Sequence, residues 1–240
     1  MRRETGRDKI RFLIPQVFTG ARVVLGGIAL FEAMRGQTHW AATWITYGAV
    51  TDGLDGIVAR RLSAASDFGA LFDLFADYVC YIVAPVALSL SFFETAPGAI
   101  VFVLLGSPLL AGAIRYARNI QWSRVQSFEV VGIPGLGTVI YSFFIVTLVF
   151  ARPEEVIAIE WVRHTVLVLV PALSCLMISP IRFSKLMKYQ WIFFPVMAGL
   201  LIMPFAFTRL FSSITLALGF LYTVISPLLM YARKESTSHD

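Results

Sequence analysis

The chain holds seven aspartates, and five of them fall between positions 52 and 77. Asp52, Asp55, Asp67, Asp73 and Asp77 lie in the stretch DGLDGIVARRLSAASDFGALFDLFAD. Asp52 and Asp55 are spaced i,i+3, and Asp73 and Asp77 i,i+4, so each pair shares one helix face. A carboxylate inside a spanning helix costs about 2.5–3.5 kcal/mol on insertion scales. A cluster of them also repels itself unless positive charge compensates. One or two divalent cations would supply that charge. Hard oxygen ligands without His or Cys favour Mg²⁺ or Mn²⁺ over Zn²⁺. Taken alone, the aspartates leave three readings open: metal-dependent catalysis, proton or ion transport, and a structural role.

The neighbouring residues bear on that choice. Gly56 directly follows Asp55, and Gly69 precedes Asp73 by about one turn. Glycine inside a helix costs about 1 kcal/mol. Its return is close approach, either of a ligand or of a second helix. Arg60 is one turn beyond Gly56 and suits an anionic phosphate; the alternative is an arginine snorkelling to the interface. His39, His164 and His239 are scattered and make no ligand set. Cys80 and Cys175 sit in apolar runs without CxxC spacing and read as small core residues.

The elements that must hold these residues are membrane helices. The chain has 240 residues, 58% hydrophobic and only 15% charged, with mean hydropathy +0.75. That excludes an ordinary soluble enzyme, a disordered chain and a fibrous repeat. Apolar runs near 14–34, 38–59, 67–92, 96–115, 134–151, 163–180, 190–207 and 213–231 predict eight helices. The first run is long, contains Arg22 and has no convincing cleavage site, so it is expected as a retained helix after a basic segment, 1–13. With the N-terminus inside, 15 of the 20 Lys and Arg fall in inner segments and 4 in outer loops; Arg22 is inside a span. This asymmetry predicts cytoplasmic termini. Segment 116–133 is expected as the longest inner loop. The expected fold is therefore an all-α, polytopic single domain over 1–240, with the acidic pairs at the inner ends of helices two and three. Nucleic-acid binding is the weaker reading of the +5 net charge.

The spacing Asp52-x2-Asp55-Gly56-x2-Ala59-Arg60-x8-Gly69-x3-Asp73-x3-Asp77 matches all eight fixed positions of the CDP-alcohol phosphotransferase signature. The chain resembles that integral-membrane family over these 26 residues. The resemblance implies transfer of a phosphatidyl-type group from a CDP-linked donor to an alcohol, with release of CMP and use of divalent metal, Mg²⁺ or Mn²⁺, in a two-metal site. It implies Asp52, Asp55, Asp73 and Asp77 as metal ligands, with Asp77 also the general base on the acceptor hydroxyl. Gly56, Ala59 and Gly69 would form the floor under the nucleotide, and Arg60 would face the donor phosphates. It also implies a homodimer in the cell or inner membrane, with membrane lipids around it and the active site facing the cytoplasm.

Features outside the signature resemble the phosphatidylserine synthase branch. These are Arg115-Tyr116-Ala117-Arg118-Asn119, Gly132-Ile133-Pro134, Ser179-Pro180-Ile181-Arg182-Phe183, and the run from Asp77-Tyr78 to Ala84-Pro85. The implied donor and acceptor are CDP-diacylglycerol and L-serine. Serine brings a carboxylate, which suits arginine. Arg115 and Arg118, at the inner end of the fourth helix, are candidates for the acceptor or the diphosphate, with plain topology as the alternative. Asn119 offers a polar contact or a helix C-cap, and Arg182 a substrate or lipid-headgroup contact. The rival acceptor is choline, because Tyr78, Tyr81 and Phe92 would suit an aromatic cage; inositol phosphate or glycerol phosphate is a further alternative. Arg22 is expected to pair with Asp67, to meet a phosphate or to snorkel. The different-class rival is a cation-coupled transporter, which should show inverted repeats and broken midplane helices; the sequence has neither.

Overall fold

A computed structural model of the chain describes residues 6–62, 66–93, 98–125, 133–134, 137–150, 156–179 and 182–183. The runs expected at 190–207 and 213–231, and both chain ends, lie outside the described residues. Among the described residues the fold is all-α apart from one short ladder. Helix α1 covers Gly6–Met34 and α2 covers Thr38–Leu62. Between them Gly36 has φ +74°, the left-handed region that glycine enters without Cβ penalty. The Gly36 N–H donates to the Ala33 carbonyl, and the Gln37 N–H reaches back to Glu32. This 5→2 and 6→1 pair ends α1 and folds α2 back along it.

The third span is a rod of three parts. Helix α3 covers Asp67–Tyr78, a π turn covers Val79–Val83, and α4 covers Ala84–Leu90. Ser66 caps α3, its Oγ accepting from the Gly69 N–H at 3.0 Å. Asp67 follows in the first turn, where the helix dipole favours an anion. The sequence predicts one unbroken helix here; the π turn is the difference, and Pro85 at the start of α4 accounts for it. Proline has no N–H and would clash with the carbonyl one turn back. The wider turn relieves this, and the Ala84 N–H reaches five residues back to Val79.

Helix α5 covers Ala99–Val125, α6 Gly137–Phe150 and α7 Val156–Ile178. Two expectations are corrected here. Residues 116–125 are helix rather than loop, because nothing between Arg115 and Val125 is Gly or Pro. Arg115 and Arg118 therefore lie inside α5 rather than at its end, and Asn119 is mid-helix, not a C-cap. Helix α7 begins at Val156, seven residues before the run expected at 163–180, so Glu160 is helical. The one ladder pairs β1 (Ile133–Pro134) antiparallel with β2 (Arg182–Phe183), setting Pro134 opposite Arg182. Those two stretches stand apart in the sequence, and their pairing has no local signal.

Three described helices are long and apolar enough to cross a membrane: Phe12–Met34, Asp67–Leu90 and Ala99–Arg118. The protein is an integral, multi-pass membrane protein. Large apolar side chains such as Val24, Phe31, Ile100, Val103 and Val168 face outward. Buried Thr43, Thr46, Ser89 and Ser174 turn inward, and each hydroxyl donates to a carbonyl of its own helix. That satisfies groups that lipid cannot.

Close packing around the π turn depends on small residues. A Cβ on Gly48 would overlap Cys80 Sγ, and one on Gly112 would overlap Ile82 Cδ1. At either position a side chain of the third rod would have to shift to admit a Cβ, so these glycines favour its close nesting between α2 and α5.

Candidate active site

Hairpin geometry brings the aspartates level. Asp52 lies ten residues before the end of α2, and Asp77 ten after the start of α3. At about 1.5 Å per residue both sit ~15 Å along their antiparallel helices from the 63–65 connection. Asp73 is one turn from Asp77 on the same face. Carboxylate oxygens of Asp52, Asp73 and Asp77 all lie within 4.8 Å of one another. This cluster of three acidic residues is able to coordinate a divalent metal. An oxygen-only donor set suits a hard cation. Two unit charges 4.8 Å apart repel by about 3.5 kcal/mol at an effective dielectric of ~20. The cluster therefore needs compensating charge.

Part of that charge comes from α1. Arg22 Nη1 donates to Asp52 Oδ1 and, at 2.7 Å, to Asp77 Oδ1; Nη2 donates to Asp73 Oδ1. The Arg22 side chain is 0% exposed, whereas the carboxylates are 39%, 44% and 23% exposed for Asp52, Asp73 and Asp77. The guanidinium lies behind the carboxylates, on the protein side, and the cluster opens on the other. The expected partner Asp67 is not the one used. Asp67 is exposed at the start of α3, two to three turns from Asp77.

Tyr81 is a site residue that sequence reasoning missed, since the sequence suggests it only as part of an aromatic cage. Its hydroxyl donates to Asp52 Oδ2 at 3.1 Å, and the residue is buried. It is one turn beyond Asp77, inside the π turn, and fixes the second oxygen of Asp52 as Arg22 fixes the first. The position one turn past the last aspartate is the available signal. Partners of this kind, which orient a ligand without touching the metal, cost ~10–100-fold when removed. Tyr81→Phe is expected to weaken divalent-metal affinity by about that factor, read as the half-saturating concentration in a Mn²⁺-binding titration. An unchanged half-saturation point would show that the hydroxyl does not orient Asp52.

Tyr78 docks α3 onto α5. Its hydroxyl donates to the Leu109 carbonyl at 2.9 Å, and its ring meets Tyr116 edge-on at 6.0 Å. Next to Tyr116, Arg115 is buried, donates to Thr138 Oγ1 and lies within Coulomb range of Asp77. Arg118, one turn on, points elsewhere. Its Nη1 donates to the Ile178 carbonyl at 2.7 Å, at the C-terminal end of α7, where a cation is favoured. The structure thus separates two arginines that the sequence paired. Phe92 is fifteen residues beyond Asp77, about 22 Å away along the rod, at the end where Arg163 Nε donates to its carbonyl. Tyr78, Tyr81 and Phe92 therefore do not gather into a cage.

Gly69 packs closely, since a Cβ there would lie 2.7 Å from Gln16 Nε2 and 3.0 Å from Ser66 Oγ. Asp55, Gly56, Ala59 and Arg60 are in α2, Asn119 in α5 and Arg182 in β2; their side chains lie outside the described residues.

The chain is similar to known proteins over nearly its whole length. A family model described as CDP-alcohol phosphatidyltransferase matches residues 12–225. A Helicobacter pylori protein named CDP-diacylglycerol–serine O-phosphatidyltransferase is 27% identical over 210 residues, covering 87% of each chain. A Bacillus subtilis protein of the same name is 33% identical over 135 residues, 54% of this chain and 75% of that one. A Pseudomonas fluorescens protein named CDP-diacylglycerol–glycerol-3-phosphate 3-phosphatidyltransferase is 35% identical over 108 residues, 42% of this chain and 54% of that one.

Proposed function

Because the chain belongs to the CDP-alcohol phosphatidyltransferase family, we propose that it transfers the phosphatidyl group of CDP-diacylglycerol to L-serine, giving phosphatidylserine and CMP. The observation that carries the chemistry is the convergence of Asp52, Asp73 and Asp77 from two helices onto one open face. The acceptor rests on the Helicobacter relatives, named for serine and matched over 87% of this chain.

Asp52, Asp73 and Asp77 would hold one divalent cation, Mg²⁺ or Mn²⁺. Asp55, one turn past Asp52 on the same face of α2, would join them if a second is bound. Such a cation would supply positive charge against the diphosphate and the departing CMP. The residues of the chain do the rest. Gly56 and Ala59 would leave room for the nucleotide and Arg60 would face the donor phosphates, while Gly69 lets Gln16 and Ser66 close in at the start of α3. The serine hydroxyl oxygen attacks the phosphorus that carries diacylglycerol. The bond from that phosphorus to the CMP oxygen breaks, and CMP leaves with the electron pair. Asp77 takes the hydroxyl proton on Oδ2, since Oδ1 accepts from Arg22. Catalysis is then mostly positioning plus electrostatics. The site faces the cytoplasm, the side that the distribution of Lys and Arg marks as inner.

Serine differs from choline in its carboxylate, and Arg115 is the arginine we assign to it, being buried and within Coulomb range of Asp77. A hydrogen bond from a cation to such a group contributes roughly 1.5–3 kcal/mol. Arg115→Ala is therefore expected to raise the KM for serine about ten- to a hundredfold, with the CDP-diacylglycerol KM moving much less. Lys should rescue only in part, having no fork. Arg118→Ala, at the end of α7, should leave both constants nearly unchanged. A rise confined to the donor KM in Arg115→Ala would assign Arg115 to the diphosphate instead.

The deciding assay uses enzyme purified in detergent. CMP release from CDP-diacylglycerol is measured with serine, choline, inositol phosphate and glycerol 3-phosphate separately. Serine alone should support turnover. Glycerol 3-phosphate is the second reading, favoured by the Pseudomonas relative, and turnover with it and not with serine would replace the serine assignment.

A further inference from the structure

Arg22 comes from α1, outside the 52–77 stretch, yet it touches all three clustered carboxylates. We propose that Arg22 is the internal counter-cation of the metal site: it and the divalent cation neutralise the same carboxylates, so Arg22 keeps the site assembled without metal and weakens metal binding. The inference rests on the reading that Asp52, Asp73 and Asp77 hold the metal.

Three observations carry it. First, the signs agree. Among the described residues three clustered carboxylates face the single positive charge of Arg22, which leaves an excess of negative charge for a divalent cation. Second, the geometry is that of a brace. The guanidinium uses two different nitrogens on three different side chains, each time at Oδ1, and is sealed from solvent while the carboxylates stay open opposite it. Third, placement is built into the fold. Arg22 is twelve residues before the end of α1, and Asp52 is fourteen after the start of α2, so the α1–α2 hairpin sets them level. An arginine at this depth is costly in a membrane helix unless it is paired. Here the pairing is with the metal ligands themselves. Two cations drawn to one set of anions repel each other, so each binds less tightly in the presence of the other.

The test is Mn²⁺ binding to purified protein in detergent, read by electron paramagnetic resonance of free Mn²⁺, together with thermal unfolding in chelator and in Mn²⁺. Arg22→Met should bind Mn²⁺ at least tenfold more tightly than the wild type. Its Tm should fall in chelator and gain more from Mn²⁺ than that of the wild type, as linkage requires of a tighter ligand. Arg22→Lys keeps the charge without the fork and should fall between the two. Equal or weaker Mn²⁺ affinity in Arg22→Met would overturn the proposal. If Arg22→Met folds only in Mn²⁺, the proposal stands. If it folds in neither, Arg22→Met with Asp73→Asn decides. Recovery of folding supports Arg22 as the counter-charge, and failure to recover overturns it by making Arg22 a packing residue. Absence of Mn²⁺ binding in the wild type would instead remove the metal reading on which this rests.

Discussion

Asp73→Asn is expected to lower CMP release by about two to three orders of magnitude, the scale on which removal of one stabiliser of transition-state charge acts. The variant should remain folded. Asp73 is the most open of the three clustered carboxylates, and Asn keeps an Oδ1 that can still accept from Arg22 Nη2. What it loses is negative charge, and with it the pull on a divalent cation. Chelation of the wild-type enzyme should abolish turnover, and Mg²⁺ or Mn²⁺ should restore it. In Asp73→Asn the metal needed for half-maximal rate should rise steeply. Asp52→Asn should behave alike, with one addition: its second oxygen holds Tyr81, so loss of orientation adds to loss of charge. Full activity of the wild type in excess chelator would refute the metal assignment outright.

Asp77→Asn separates base from ligand. Positioned general bases contribute ~10²–10⁴-fold, so kcat should fall by that much. The amide oxygen in Asp77→Asn would still accept from Arg22 at the 2.7 Å contact, but an amide cannot take the serine proton. The CDP-diacylglycerol KM should change little, provided Asp52 and Asp73 retain the metal. A pre-steady-state or binding measurement with CDP-diacylglycerol should show the donor seated and not consumed. The pH–rate profile should lose the limb belonging to the base. Near-normal kcat in this variant would take Asp77 out of the proton transfer and leave it only as a ligand.

These effects fall on residues that are legible before any coordinates. The two aspartate pairs are written at helical spacing, and an acidic pair on one helix face is a local pattern. The three described spans of membrane length are also legible, because lipid demands ~20 apolar residues in a row. Their ends are less so. Helix α5 runs ten residues beyond its apolar run because a helix continues in water until a breaker stops it, and composition marks only the part that meets lipid. The π turn at Val79–Val83 escapes sequence reading for a different reason: Pro85 signals a local disturbance, but its resolution by a wider turn depends on what packs beside it.

The sequence by itself determined the membrane class, the family signature and which carboxylates could share a site, since each is a matter of spacing along one helix or one hairpin. It did not determine what compensates them. Arg22 is 30, 51 and 55 residues from Asp52, Asp73 and Asp77, and its helix carries no mark of the partner it will meet. Likewise Arg115 and Arg118 are equivalent as residue types one turn apart, yet one is buried and donates to Thr138 and the other holds the end of α7. Such assignments follow from which helix faces touch. The glycines at 48 and 112 let the third rod come close, and a guanidinium sealed from solvent is held there by its attraction to carboxylates that remain partly open.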